Sequence, residues 1–173
     1  MVQYQDKPIS SSQIGYLETE NTFYHYMKGK EYIDLLSRGN GGFDINKWNN
    51  IFKLPLDDLI DSYSTGMKKK LALFGVLSLG RPIMLLDEPF NGLDLESAQY
   101  LNQILKELKK QNKILVLTSH ILQILKDNCD RVSFLHNGSI QNTYGKENFS
   151  QIDTLIKSTI TSNSEAVLHS LFN

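Results

Sequence analysis

An α/β protein with a mainly parallel sheet flanked by helices is the fold class this sequence predicts, and three observations predict it. Two apolar runs, IMLL at 83–86 and ILVL at 114–117, lack the alternation of a half-exposed strand, which suits strands covered on both faces in a parallel sheet. The segment between them carries Leu101, Ile104, Leu105 and Leu108 at helical spacing, so the order is strand, helix, strand. Finally, VSFLHNGSIQNTY sets Asn137-Gly138 between two alternating segments, the preferred two-residue hairpin turn.

The other elements follow in chain order. Residues 13–17 (QIGYL) read as a short strand, and 28–38 and 44–53 carry apolar residues at helical spacing on either side of the loop GNGGF. In YSTGMKKKLALFGVLSLGRP, Ser64 and Thr65 offer N-caps, Met67, Leu71, Phe74 and Leu77 recur at three and four residues, and Gly80 and Pro82 stop the run. A helix over 65–79 is expected. Asp94 can cap the next helix, whose Lys106, Lys109 and Lys110 gather toward its C-terminal end. A shorter helix is expected near 121–128, and from 147 to 173 the chain turns Ser/Thr/Asn-rich and loses its apolar pattern. Residues 151–173 are therefore expected to be a loosely packed tail.

Bulk properties narrow the function classes. The 173 residues carry 18 basic and 19 acidic side chains, a net charge of −1, so no global field favours nucleic acid. Cys129, the single cysteine, fits a reducing compartment and is expected to be a buried packing residue. No apolar run approaches the roughly 18 residues of a membrane span, and MVQYQDKPIS resembles no signal peptide. A cytoplasmic protein is expected.

Ligands of parallel α/β sheets sit beyond the carboxyl ends of the strands. Asp87 and Glu88 fall there after one strand, and His120 after the next. Asp87 is the candidate ligand for Mg²⁺, a hard ion that takes oxygen ligands and accompanies phosphates. Glu88 is the candidate general base, able to orient an attacking water or take its proton. Either carboxylate alone reads equally as a turn former, and His120 alone as a cap or a satisfied core histidine.

The ensemble is more specific. YSTGM, IMLLDEP, NGLD and TSH, in this order and at these separations, resemble the nucleotide-binding subunit of an ATP-binding cassette (ABC) transporter over about residues 13–145. The resemblance implies a P-loop NTPase-like cassette with ATP and Mg²⁺ as cofactors. In it, Tyr63 to Met67 match the signature sequence, whose Ser64 and Gly66 would face the γ-phosphate bound on a second subunit. A capped helix start with a small residue is independently a good anion site. Asp87 would end the Walker B strand, Glu88 would be the catalytic glutamate, and Asn91 to Asp94 would form the loop communicating across the dimer. His120 would be the switch histidine. The glutamine usual after the first strand is absent, with Glu18, Thr19 and Glu20 in its place.

Further implications concern organisation and partners. Residues 1–150 would be a partial nucleotide-binding domain, with 28–80 as a helical subdomain and 81–145 as half of the catalytic core. A transmembrane permease and a second nucleotide-binding subunit, identical or different, would be the partners, with no nucleic acid. The chain would then lie peripherally on the inner face of the cell membrane. Tyr16, Phe23, Tyr24 and Tyr26 could touch a partner or cover the core, and the core is the expectation.

One element does not match. The phosphate loop G-x-x-x-x-G-K-[ST] wraps phosphates in backbone N–H groups and adds a lysine. Gly29-Lys30 has Tyr24 at the first glycine and Glu31 at the hydroxyl, while Gly145-Lys146 is followed by Glu147. The resemblance places this loop upstream of the first strand, so the cassette is expected to be incomplete and ATP binding by this chain alone severely weakened. Three functions compete: an ATPase subunit, a non-catalytic module that donates its signature helix to a partner subunit, and a soluble ATPase acting on nucleic acid or ribosomes. The near-neutral charge weighs against the third.

Overall fold

The computed structural model describes residues 3–4 and 7–152 of the chain. They fall into two compact units, one reaching to His120 and one starting at Ile121.

The first unit is built on a three-stranded sheet of β3 (Ile14–Leu17), β4 (Ile83–Leu86) and β5 (Ile114–Leu117), in that order. Both pairings are parallel, in the register Ile14↔Ile83↔Ile114 through Leu17↔Leu86↔Leu117. Ahead of it, β1 (Gln3–Tyr4) and β2 (Lys7–Pro8) pair antiparallel. Helices α1 (Gly29–Ser37), α2 (Ile45–Phe52) and α3 (Thr65–Ser78) connect β3 to β4, and α4 (Leu95–Lys110) connects β4 to β5.

The expected caps form. Ser64 Oγ accepts from the Met67 N–H, Asp44 from Lys47 and Asp94 from Ser97, each satisfying a donor the helix start leaves over. Gly80, at φ +63°, ends α3 in the left-handed conformation that glycine adopts without a side-chain clash. Nearly every residue of α3 from Leu71 to Ser78 is buried, as for a helix apolar all round that passes through a core. Phe74 stacks on Phe52 with ring centroids 4.7 Å apart, and Gly75 lets Tyr32 of α1 close in, because a Cβ there would stand 2.6 Å from the Tyr32 ring. Burial pushes the Tyr32 hydroxyl up to about 12, with Glu18 adding to the effect.

Both crossovers, β3 to β4 and β4 to β5, step the same way across the sheet, so the right-handed rule sets their helices on one face. Gly15, Leu17, Met84 and Leu86 of that face are buried. The expectation that both apolar runs are covered on two faces holds for β4 and fails for β5, where Ile114 and Val116 are exposed. The reason is position: β5 is an edge strand among the described residues, and neither residue belongs to the main core cluster.

Aromatic placement is also corrected. Phe23 packs edge-on against Tyr32, but Tyr16, Tyr24 and Tyr26 are exposed rather than core. Tyr24 and Tyr26 lie in the loop after β3, whose Phe23 and Met27 pack against the core in their place, and Tyr16 shares a sheet face with exposed Val116.

The second unit contains α5 (Leu122–Asn128) and the hairpin of β6 (Arg131–His136) and β7 (Ser139–Gly145). Asn137 and Gly138 turn it with φ +48° and +74°, as a type I′ turn requires. Val132, Phe149 and Ile152 form its small core, with Cys129 packed against it only partly buried. The cluster is too small to enclose the thiol fully, which corrects the expectation of burial. The tail expected over 151–173 lies, from residue 153 on, outside the described residues.

Candidate functional site

Parallel strands of equal length end together, and β4 and β5 therefore deliver Asp87, Glu88, Thr118 and His120 to one edge. The Asp87 N–H still donates to Leu17 of β3, at 3.0 Å, so the ladder holds the carboxylate at the sheet's rim. The hydroxyls of Thr118 and Thr19 donate to its two oxygens. These two bonds, Thr118's being the larger effect, hold the Asp87 carboxyl below the usual carboxylate range, and nearby Lys69 helps.

Glu88 follows on a left-handed backbone at φ +46°, a strained conformation for a residue with a side chain. Two bonds fix it there. Its N–H donates to Thr118 Oγ1 at 3.0 Å, and its Oε1 accepts from the His120 N–H at 2.9 Å. His120 Nδ1 lies 3.0 Å from the same oxygen. The glutamate is half-buried while the imidazole is largely exposed, so the pair presents an acceptor and a ring at the mouth of the edge.

Lys69 of α3 is buried, and its Nζ lies 3.4 Å from the carbonyl oxygens of both Glu18 and Thr19. Burial pushes its ammonium down, against the pull of Asp87 and Glu88. Of the three residues standing where a glutamine is usual, Thr19 is the one whose side chain reaches Asp87.

A second group gathers at the start of α3. Ser64 and Gly66 lie in its first turn, with Gly66 next to the Gly92 carbonyl, since a Cβ on Gly66 would stand 3.4 Å from that oxygen. Asp94 pairs with Lys70 of α3 at 2.6 Å while capping α4. The Lys70 ammonium, then the Ser97 bonds, hold the Asp94 carboxyl far below the ordinary value. The structure thus brings Asp87, Glu88 and His120 together at one sheet edge, and Ser64, Gly66 and Asp94 together around the start of α3.

Sequence reasoning left Thr19 open among three residues and missed Thr118, Lys69 and Lys70. Thr118 was visible in the TSH string, but its double role as acceptor for Glu88 and donor to Asp87 depends on the register of β4 and β5. No cluster of three or more His, Cys, Asp or Glu occurs among the described residues. A single ionised carboxylate flanked by hydroxyls nevertheless fits Mg²⁺, which takes one or two carboxylates and draws its other oxygens from phosphates and water. For a triphosphate the fit is partial: acid, imidazole and a helix N-terminus are present, while the 173 residues hold no phosphate loop.

Comparison with known proteins bears on the family and the fold. A family described as "AAA domain, putative AbiEii toxin, Type IV TA system" matches residues 5–126. The ABC transporter ATP-binding protein YtrB of Bacillus subtilis is 29% identical over 145 residues, covering 82% of this chain and 50% of the relative. The ABC transporter ATP-binding protein MJ1023 of Methanocaldococcus jannaschii is 30% identical over 144 residues, 79% of this chain and 55% of its own. The chain spans about half the length of these curated relatives. Among solved structures, an ATP-binding subunit of an ABC transporter superposes with TM-score 0.75 at 24% identity, over 83% of this chain and 63% of that one. A dimeric post-hydrolysis ATP-binding cassette bound to ADP and Pi gives 0.64 at 17%, over 78% and 63%. At these identities the structural likeness shows the fold alone.

Proposed function

The chain belongs to the family of ABC transporter ATP-binding proteins, and from that premise we propose that it is part of an ATP-hydrolysing subunit that drives a membrane permease. The observation that carries the reading is the single edge at which Asp87, Glu88 and His120 converge, with Glu88 Oε1 bonded to the His120 N–H at 2.9 Å.

Bound Mg²⁺ would supply positive charge against the negative charge that builds during phosphoryl transfer. Asp87, kept ionised by its two hydroxyl donors, would hold the ion. Glu88 would orient the attacking water and accept its proton, its carboxylate aimed by the His120 N–H and its backbone by Thr118. His120, largely exposed, would turn its ring toward the γ-phosphate. Ser64, Gly66 and the N-terminus of α3 would complete the site of a second nucleotide-binding subunit, because free N–H groups and the helix dipole favour an anion there. Asp94, tied to Lys70, would couple that helix start to α4. Among the described residues no helix is long and apolar enough to cross a membrane, so attachment to the inner face of the membrane would come through the permease. Nothing in the described residues singles out the toxin activity that the family description names.

A second reading, a non-catalytic module that lends its signature helix to a partner, is favoured by one observation, the lack of any G-x-x-x-x-G-K-[ST] run in the 173 residues. Mixing the chain with an intact ATP-binding subunit separates the two. If both Gly66→Asp and Glu88→Gln abolish the stimulated hydrolysis, the chain is catalytic. If only Gly66→Asp does, the chain is a module, and stimulation untouched by either substitution removes both readings.

A further inference from the structure

Lys68, Lys69 and Lys70 follow one another in the first two turns of α3, and the helix sends them different ways. At 3.6 residues per turn, neighbours point about 100° apart. Lys70 turns to Asp94 at the start of α4, 2.6 Å away, whereas Lys69 turns toward the end of β3 and is only 7% exposed. A lysine is seldom buried unless its charge finds partners. Here they are the carbonyl oxygens of Glu18 and Thr19, each 3.4 Å from Nζ, and the Asp87 and Glu88 carboxylates lie close enough to favour the ammonium. Those two carbonyls stand just past the last rung of the sheet, where Leu17 accepts the Asp87 N–H. Among the described residues no backbone N–H donates to either of them.

The loop so held is the one that carries the Thr19 hydroxyl to Asp87. We propose that Lys69 is a positioning residue for the acidic edge: its ammonium fastens the Glu18 and Thr19 backbone to α3, and the fastened backbone aims the Thr19 hydroxyl at the Asp87 carboxylate. Its consequence for hydrolysis rests on the functional reading above. The chemistry of the position asks for an ammonium, whose N–H donors match two acceptors that the sheet leaves over. An apolar side chain of the same length would fill the space and hold neither carbonyl. Thr19 itself is exposed, so packing does little to choose its rotamer, and the backbone beneath it has to. Asp87 then meets a donor on each oxygen, Thr118 on Oδ1 and Thr19 on Oδ2.

The test uses the full chain with its threonine side chains labelled for NMR. Vicinal couplings of Thr19 should report one rotamer in the wild type and in Lys69→Arg, which keeps charge and donors, and rotamer averaging in Lys69→Met, which keeps only the length. Unchanged amide protection in α3 shows that the variants fold, and Lys69→Gln replaces Lys69→Met if the latter does not. A single Thr19 rotamer in the neutral variant would overturn the proposal, as would equal averaging in Lys69→Arg. A second arm mixes the chain with an intact ATP-binding subunit and Mg·ATP. Lys69→Met and Thr19→Val should each lower kcat of the stimulated hydrolysis about tenfold with KM little changed, and the double variant should be no slower than either alone, since both cut one path. Losses that multiply in the double variant, or averaging of Thr19 with kcat intact, would overturn the role at the edge. Stimulation that survives Glu88→Gln would refute the hydrolytic reading instead, and the Thr19 rotamer would still decide whether Lys69 positions the loop.

Discussion

Glu88 stands on a left-handed backbone, and the Thr118 hydroxyl that accepts its N–H is also the one that donates to Asp87. One side chain therefore sets two site residues. Thr118→Val should cost about 1 kcal/mol of stability and raise the Asp87 pKa, read by carboxyl NMR titration; an unmoved Asp87 would show that Thr19 alone suffices. The sign on stability follows from linkage. Asp87 has a folded pKa below its unfolded value, so its contribution is present above the unfolded pKa near 4 and is lost as pH falls through the folded value. In Thr118→Val that loss should still begin near the unfolded pKa but be smaller and end at a higher pH. Residues at this scale were legible in the sequence where one short string carried them: Asp87, Glu88 and His120 each end an apolar run. Thr19 and Lys69 were not, because their partners Asp87 and Glu18 stand 68 and 51 residues away and only the folded register joins them.

Among the elements, α3 has two jobs: its middle fills the core and its start presents Ser64 and Gly66. Phe74→Ala, which empties a fully buried position stacked on Phe52, should destabilise by about 3–5 kcal/mol in urea unfolding. Such a loss is a large share of a domain's stability, and a shift under 1 kcal/mol would mean the core around α2 and α3 is looser than drawn. Asp94→Ala removes the α4 cap and the Lys70 partner together. The cap should cost about 1 kcal/mol in thermal unfolding, and the exposed ion pair little beyond it. Periodicity and capping residues made α1 to α4 readable to within a residue or two, because those signals are local. The surroundings of β5 and of Tyr16, Tyr24 and Tyr26 were not readable, since an apolar side chain does not itself record whether anything is packed against it.

At the scale of the molecule, the first unit is a three-stranded parallel sheet with Tyr16, Ile114 and Val116 exposed on one face and an acidic edge at the carboxyl ends of β4 and β5. The parallel direction of β4 and β5 was legible from the unbroken apolar runs and the helix between them. The exposure of Ile114 and Val116 was not, because it depends on β5 standing at the edge of the sheet among the described residues. If this edge is a hydrolytic site, this chain's own carboxylates perform the chemistry and a change at Glu88 should remove it. The most direct measurement is the single-turnover hydrolysis of Mg·ATP that the chain adds to an intact ATP-binding subunit, compared between wild type and Glu88→Gln. Hydrolysis in the wild type that falls at least about a hundredfold in Glu88→Gln, with ATP still bound, is the expected result. Equal rates in the two would place the catalytic group elsewhere and contradict the assignment of this edge.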